Sequence, residues 1–161
     1  MKSLRAVRAV ALLLAAASAS FAIGASAGTD PEATGLDNIY LRGAILGLRK
    51  KHVAGLVDDI AKFSDLGDLL HLPVKTYSAG MKARLTFAIS TATQHDILLI
   101  DEGIGVGDAS FQEKAHRRIE DHFSRTSIII LASHSEDLLK KYCNRRITLS
   151  KGKLVGDEPI S

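Results

Sequence analysis

Residues 97–102 read Ile-Leu-Leu-Ile-Asp-Glu, four consecutive apolar residues that stop at two acids. A short apolar run without polar alternation predicts a strand buried on both faces, as in a parallel sheet. Asp101 and Glu102 then stand at its carboxyl end, where open α/β sheets bind their ligands. Residues 127–132 (SIIILA) have the same character, with more β-branching, and end at Ser133-His134. Between the two runs, Phe111, Ala115, Ile119 and Phe123 recur at helical spacing. Strand, helix, strand in that order is an α/β chain with a parallel sheet.

Working upstream, Ser78 is a good N-cap for a long helix to about Thr93, with Met81, Leu85, Ala88, Ile89 and Ala92 facing inward. Leu66 to Leu72 is a short apolar element closed by Pro73. Val53, Leu56, Val57, Ile60 and Phe63 form a stripe on a helix that starts near Arg49-Lys50-Lys51. An earlier helix runs from Leu36 to about Gly47. Downstream, a helix from Glu136 to Tyr142 precedes a hairpin in which residues 147–149 and 153–155 flank Lys151-Gly152.

Composition narrows the functions open to the chain. Its 161 residues are the length of about one domain. Apolar residues make up 46%, enough for a core. Aromatics are 5% and Trp is absent, which disfavours a base-stacking platform. The single Cys143 excludes an intrachain disulfide and a multi-cysteine metal site. The net charge of +3 is carried entirely by Lys2, Arg5 and Arg8, and residues 29–161 are neutral. The charge therefore points to no nucleic-acid partner.

Residues 1–28 stand apart. A basic start is followed by the apolar run 9–17 and by small residues through Ala25-Ser26-Ala27. That is the order of a secretory signal, with an apolar run too short to span a bilayer. An Ala-rich helix and strand of a globular core give the same local sequence.

Three places carry candidate chemistry. Asp101 at a strand end suits a hydrated Mg²⁺, and Glu102 beside it suits a base that polarises an attacking water. The bland alternative is a buried strand meeting solvent at two acids. Residues 77–82 (YSAGMK) open a helix with a Ser cap and a small Ala79-Gly80 pair, so that a phosphate could approach the backbone and the positive helix end. The alternative there is an ordinary capped helix. His134 can donate to a phosphate or orient water, or simply cap a helix. His52, His71, His95, His116 and His122 fall on expected loops or wet helix faces, without zinc-site spacing.

Taken together, these elements resemble the ATP-binding subunits of ABC transporters. Residues 77–82 look like the family's signature motif, residues 97–101 like its Walker B strand, and Glu102 like its catalytic glutamate. Val106-Gly107-Asp108 looks like the D-loop and His134 like the switch histidine. The Met81 after the signature Gly80, the D-loop followed by Phe111, and the stretch Asp30 to Ile39 resemble the subfamily that exports O-antigen, capsule and teichoic-acid-type polymers. The resemblance covers about residues 26–158. It implies a partial P-loop NTPase fold, with a helical subdomain at 29–72 and the signature, Walker B, D-loop and switch His in 73–161.

The resemblance also implies roles. Ser78, Ala79, Gly80 and Met81 would meet the γ-phosphate of ATP across a head-to-tail dimer, and Asp108 would contact the partner ATPase subunit. Asp101 would bind Mg²⁺, Glu102 would be the general base and His134 would sense the γ-phosphate. A transmembrane permease subunit would be the other partner, placing the chain at the cytoplasmic face of the inner membrane. The departure is that no G-x-x-x-x-G-K-[ST] occurs in these residues, so the backbone cradle for the β-phosphate is lacking. Three readings follow: an exporter ATPase subunit, incomplete here; a non-catalytic chain that lends its signature to an intact subunit or docks on the permease; or an ABC ATPase of another class. The last would carry a coiled-coil or basic arm, and none is present. Residues 1–28 are read either as foreign to the fold or as an export signal.

Overall fold

The computed structural model describes residues 20–23, 29–101 and 108–160. Its central sheet has the order β1-β2-β3, with β1 at Ser20–Ile23, β2 at Ile97–Asp101 and β3 at Ile128–Ala132. Both ladders are parallel: Ser20 pairs with Ile97 and Ile23 with Ile100, while Ile97 pairs with Ile128 and Asp101 with Ala132. β1 draws four residues of the segment set apart by composition into the sheet.

The two apolar runs are covered unequally. In β2, Leu98 and Ile100 are buried while Ile97 and Leu99 are half-buried. β3 was expected to be buried, but Ile128 is 41% exposed and Ile129 to Leu131 are half-buried. The physical reason is position, since β3 is the last strand of the sheet among the described residues.

Two helices follow the Asp30–Gly35 turn. The first, α1, spans Gly35–Ile45 and is started by a capping box in which the Thr34 hydroxyl accepts from the Asp37 amide and Asp37 reaches back to the Thr34 amide. Beneath the turn, the fully buried Asn38 side chain accepts from the Asp30 amide at 2.7 Å and donates to the carbonyls of Asp30 and Thr34. The second, α2, spans Lys50–Ser64. Its stripe is as the spacing predicts: Val53, Ile60 and Phe63 are buried, and Leu56 and Val57 half-buried. Gly43 lets α1 and α2 meet, because a Cβ there would overlap the Val53 side chain. Short 3₁₀ turns at Gly67–His71 and Val74–Thr76 then lead to the next helix.

That helix, α3, spans Ala79–Ser90, three residues shorter than expected. It closes where the Thr91 hydroxyl donates to the Phe87 carbonyl at 2.8 Å. Its one-sided stripe also needs correction. Phe87 is buried together with Leu85, Ala88 and Ile89, because α3 packs against both α2 and the next helix, α4 (Ala109–Arg125). Phe63, Phe87 and Phe111 join α2, α3 and α4 in one aromatic cluster, with centroids 5.4–6.0 Å apart.

The Thr91 carbonyl is the second junction of these helices. Arg118 donates to it from Nε at 3.1 Å and Nη2 at 3.0 Å, and His122 donates from Nε2 at 2.9 Å. His122 is thus buried rather than on a wet face, because its ring serves an acceptor that α3 can no longer satisfy. Arg118 also pairs with Asp59 of α2 and lies 4.3 Å from the Phe63 ring centroid. The chain ends in α5 (Glu136–Tyr142) and an antiparallel hairpin, β4 (Arg145–Ser150) and β5 (Lys153–Pro159), turned by Lys151 and Gly152 at φ 48° and 73°.

Candidate functional site

The parallel register sets side by side the ends of the two strands that lead to Asp101 and His134. Asp101 and Ala132 are ladder partners at the carboxyl ends of adjacent strands, and His134 follows two residues on. The loop carrying His134 is shaped by hydroxyl turns: the Ser135 amide donates to the Ser133 Oγ at 3.0 Å, and Ser135 caps α5. His134 is exposed. Glu102 and the Val106-Gly107 pair lie outside the described residues, so their expected roles carry no geometry.

Ser78 is the N-cap of α3, as the sequence predicts, its Oγ accepting from the Met81 amide at 3.1 Å. Ser78 and Ala79 are exposed, and Gly80 and Met81 half-buried. Among the described residues, a Cβ on Gly80 would meet only the Ser78 Oγ within 4 Å, at 3.9 Å, so on their side the first turn is open to an approaching group. There is no acid in that turn, and the orphan N–H groups and helix dipole favour an anion there.

Asp108 caps α4, accepting from the Phe111 amide at 3.0 Å and the Ser110 hydroxyl at 2.7 Å. The Ser110 hydroxyl, the Phe111 amide and the charge of Arg84 hold its carboxyl below the usual range. Arg84 sits one turn after Gly80 and 5.9 Å from the Phe111 ring centroid. The first turn of α4 therefore lies beside the middle of α3, at Arg84 and Phe87.

Tyr77, the first residue of the 77–82 stretch, has no role that its sequence position predicts. It is 5% exposed, and its Oη donates to the Leu69 carbonyl at 2.5 Å. Gly35 leaves room for that hydroxyl. Neither Arg84 nor Gly35 shows a spacing signal in the sequence.

The start of α3 can offer donors to a phosphate, and Asp101 is the last residue of β2. Among the described residues no cluster of three or more His, Cys, Asp or Glu side chains could hold a metal by itself. No helix among them is long and apolar enough to cross a membrane.

No protein-family model matches the chain. It is similar to the O-antigen export system ATP-binding protein RfbE of Yersinia enterocolitica, at 45% identity over 134 residues, covering 83% of this chain and 56% of that protein. It is 40% identical to the teichoic acids export ATP-binding protein TagH of Lactococcus lactis, covering 82% of this chain and 28% of that protein. With the O-antigen export protein RfbB of Klebsiella pneumoniae the identity is 40%, over 79% of this chain and 52% of that protein. The chain thus spans about half or less of the relatives' length. Among solved structures, an ATP-binding subunit of an ABC transporter superposes with a TM-score of 0.70 at 18% identity, over 89% of this chain and 60% of its own. A dimeric ATP-binding cassette bound to ADP and phosphate gives 0.64 at 16% identity, over 88% and 63%.

Proposed function

Because this chain is a homologue of the ATP-binding subunits of ABC polysaccharide exporters and shares their fold over the stretch it covers, we propose that it serves ATP-driven polymer export. Its part is to present the start of α3 to a nucleotide. The observation that carries this is the open, acid-free, Ser-capped first turn at Ser78–Gly80. The Ser78 hydroxyl and the orphan amides there suit the γ-phosphate of an ATP whose other phosphates are held by a second subunit's phosphate loop. Asp108 would face that subunit. A permease would anchor the assembly peripherally at the cytoplasmic face of the membrane.

A second reading rests on the ladder pairing of Asp101 with Ala132. In it Asp101 holds Mg²⁺, Glu102 takes the proton of the attacking water, and His134 contacts the γ-phosphate, all within this chain. Bound Mg-ATP would supply the phosphoryl group and its charge neutralisation. The first reading draws on groups whose geometry is described, the Ser78 cap and the open turn at Gly80, whereas Glu102 lies outside the described residues, so the first has the fuller set of parts.

One experiment separates them. The chain is co-purified with an intact O-antigen exporter ATP-binding protein and phosphate release is measured. Gly80→Asp sets a carboxylate against the expected phosphate and abolishes release from the shared site. Glu102→Gln discriminates: release persists if the base belongs to the other subunit and is lost if this chain supplies it.

A further inference from the structure

We infer that Tyr77 is the positioning residue for the Ser78–Gly80 turn, and that Gly35 is glycine because the Tyr77 hydroxyl occupies the space of its side chain. The inference rests on the reading of that turn as a phosphate contact and names what holds it in place.

Tyr77 lies directly before the cap, buried, while Ser78 and Ala79 are exposed. Its backbone N–H donates to the Val74 carbonyl at 3.0 Å, and its Oη to the Leu69 carbonyl at 2.5 Å. The residue is thus tied at both ends to the 3₁₀ segments before it. One residue on, Ser78 holds the Met81 amide through Oγ and the Lys82 amide through its carbonyl at 3.0 Å. Any displacement of Tyr77 is passed to the cap across a single peptide.

Gly35 closes the other side. As the first residue of α1 it gains nothing for helix propensity, yet a Cβ there would overlap the Tyr77 hydroxyl and lie 3.0 Å from the Leu70 Cδ2. Its N–H donates to the Leu72 carbonyl at 3.2 Å. The start of α1, the Gly67–His71 turn and the cap of α3 are thereby one block, tied by backbone bonds such as Val74 N–H to the Ala33 carbonyl at 3.0 Å and by the Tyr77 hydroxyl. A shift of α1 would reach Ser78 through these contacts.

The test compares Tyr77→Phe, Gly35→Ala and the double variant in the full chain. The direct readout is hydrogen exchange at the Met81 and Lys82 amides. Tyr77→Phe should raise it about fivefold, the loss of one ordinary hydrogen bond, with α4 amides unchanged. The Leu69 carbonyl keeps the Leu72 amide as a donor at 2.9 Å, so no acceptor is left bare and the variant should fold. Gly35→Ala should raise exchange further, and Tyr77→Phe added to it should bring exchange part of the way back towards the single Phe variant, because losing the hydroxyl removes the closest overlap while the Leu70 Cδ2 and Cα, 3.0 and 3.2 Å from the added methyl, still crowd it. With the intact exporter protein, kcat should fall while KM for ATP stays, since the nucleotide is seated on the other subunit. Unchanged exchange in both single variants, or a double variant no better than Gly35→Ala, overturns the inference. A wild-type mixture that releases no phosphate would refute the functional reading instead, and the exchange data would still decide on Tyr77.

Discussion

Replacing Arg118 by Met tests how the helices are held together. Arg118 gives two N–H groups to the Thr91 carbonyl, pairs with Asp59 and covers the Phe63 ring, with its side chain only 16% exposed. Methionine keeps most of the packing volume and removes the rest. The Thr91 carbonyl retains His122 as a donor, so no acceptor is left bare, and the lost charge-assisted bonds count for about 2 kcal/mol. The ring contact adds about 1 kcal/mol. Asp59 is half-exposed, which limits the ion pair to a few tenths. The sum is about 3 kcal/mol, or a fall in Tm of roughly 6–12 °C for a domain of this size. Arg118→Lys keeps a charge near Asp59 but not the fork, and should lose about 2 kcal/mol. The neighbour Arg117 is 76% exposed in an i,i+4 pair with Glu113, and its Met variant should stay within about 0.5 kcal/mol. Urea denaturation with a shared m-value is the assay. A loss below 1 kcal/mol for Arg118→Met, or equal losses at 117 and 118, would refute the view that this carbonyl joins α3 to α4.

Burial, then the charge of His122, holds the His95 imidazole below its ordinary 6.5, partly offset by Asp96. The unfolded chain then takes up the proton first, so stability should decline as pH falls through 6.5 towards the lower folded value and level off beneath it; His95→Gln should flatten that slope in a melt series. The 161-residue chain by itself should bind Mg-ATP weakly, and micromolar affinity by calorimetry would contradict the reading that the phosphates are seated elsewhere. Leu149 and Val155 are 64% and 62% exposed, and replacing both by Lys should raise the concentration at which light scattering begins without lowering Tm.

The elements were legible wherever a side-chain pattern reported a local event. The Ser78 cap and the Lys151-Gly152 turn each follow from two or three residues whose physics is settled within one turn, and the α2 stripe from five residues on one helix. What the sequence did not disclose depends on distant partners. His122 looks like a wet-face residue until the end of α3 delivers a carbonyl to it. Phe87 lies off the expected stripe because α3 has neighbours on two sides. Ile128 to Leu131 read as fully buried because hydrophobicity reports suitability for cover, not the neighbours present to provide it. The same limit hid Gly35 and Arg84, whose reasons lie across the fold in Tyr77 and Asp108.

The pairing of Ser20 with Ile97 has a kinetic consequence. β1 meets β2 only after the chain has travelled through α1, α2 and α3, whereas the α1–α2 contact closes over the short turn at Leu46–Arg49. Loop-closure entropy makes the long-range parallel ladder slow and the local helical contacts fast. The helices should therefore collapse first, with the β1–β2 ladder zipping last. During synthesis, β1 would emerge early and wait, unpaired, until β2 has left the ribosome. A chaperone that shields extended apolar segments would find its longest opportunity in that interval.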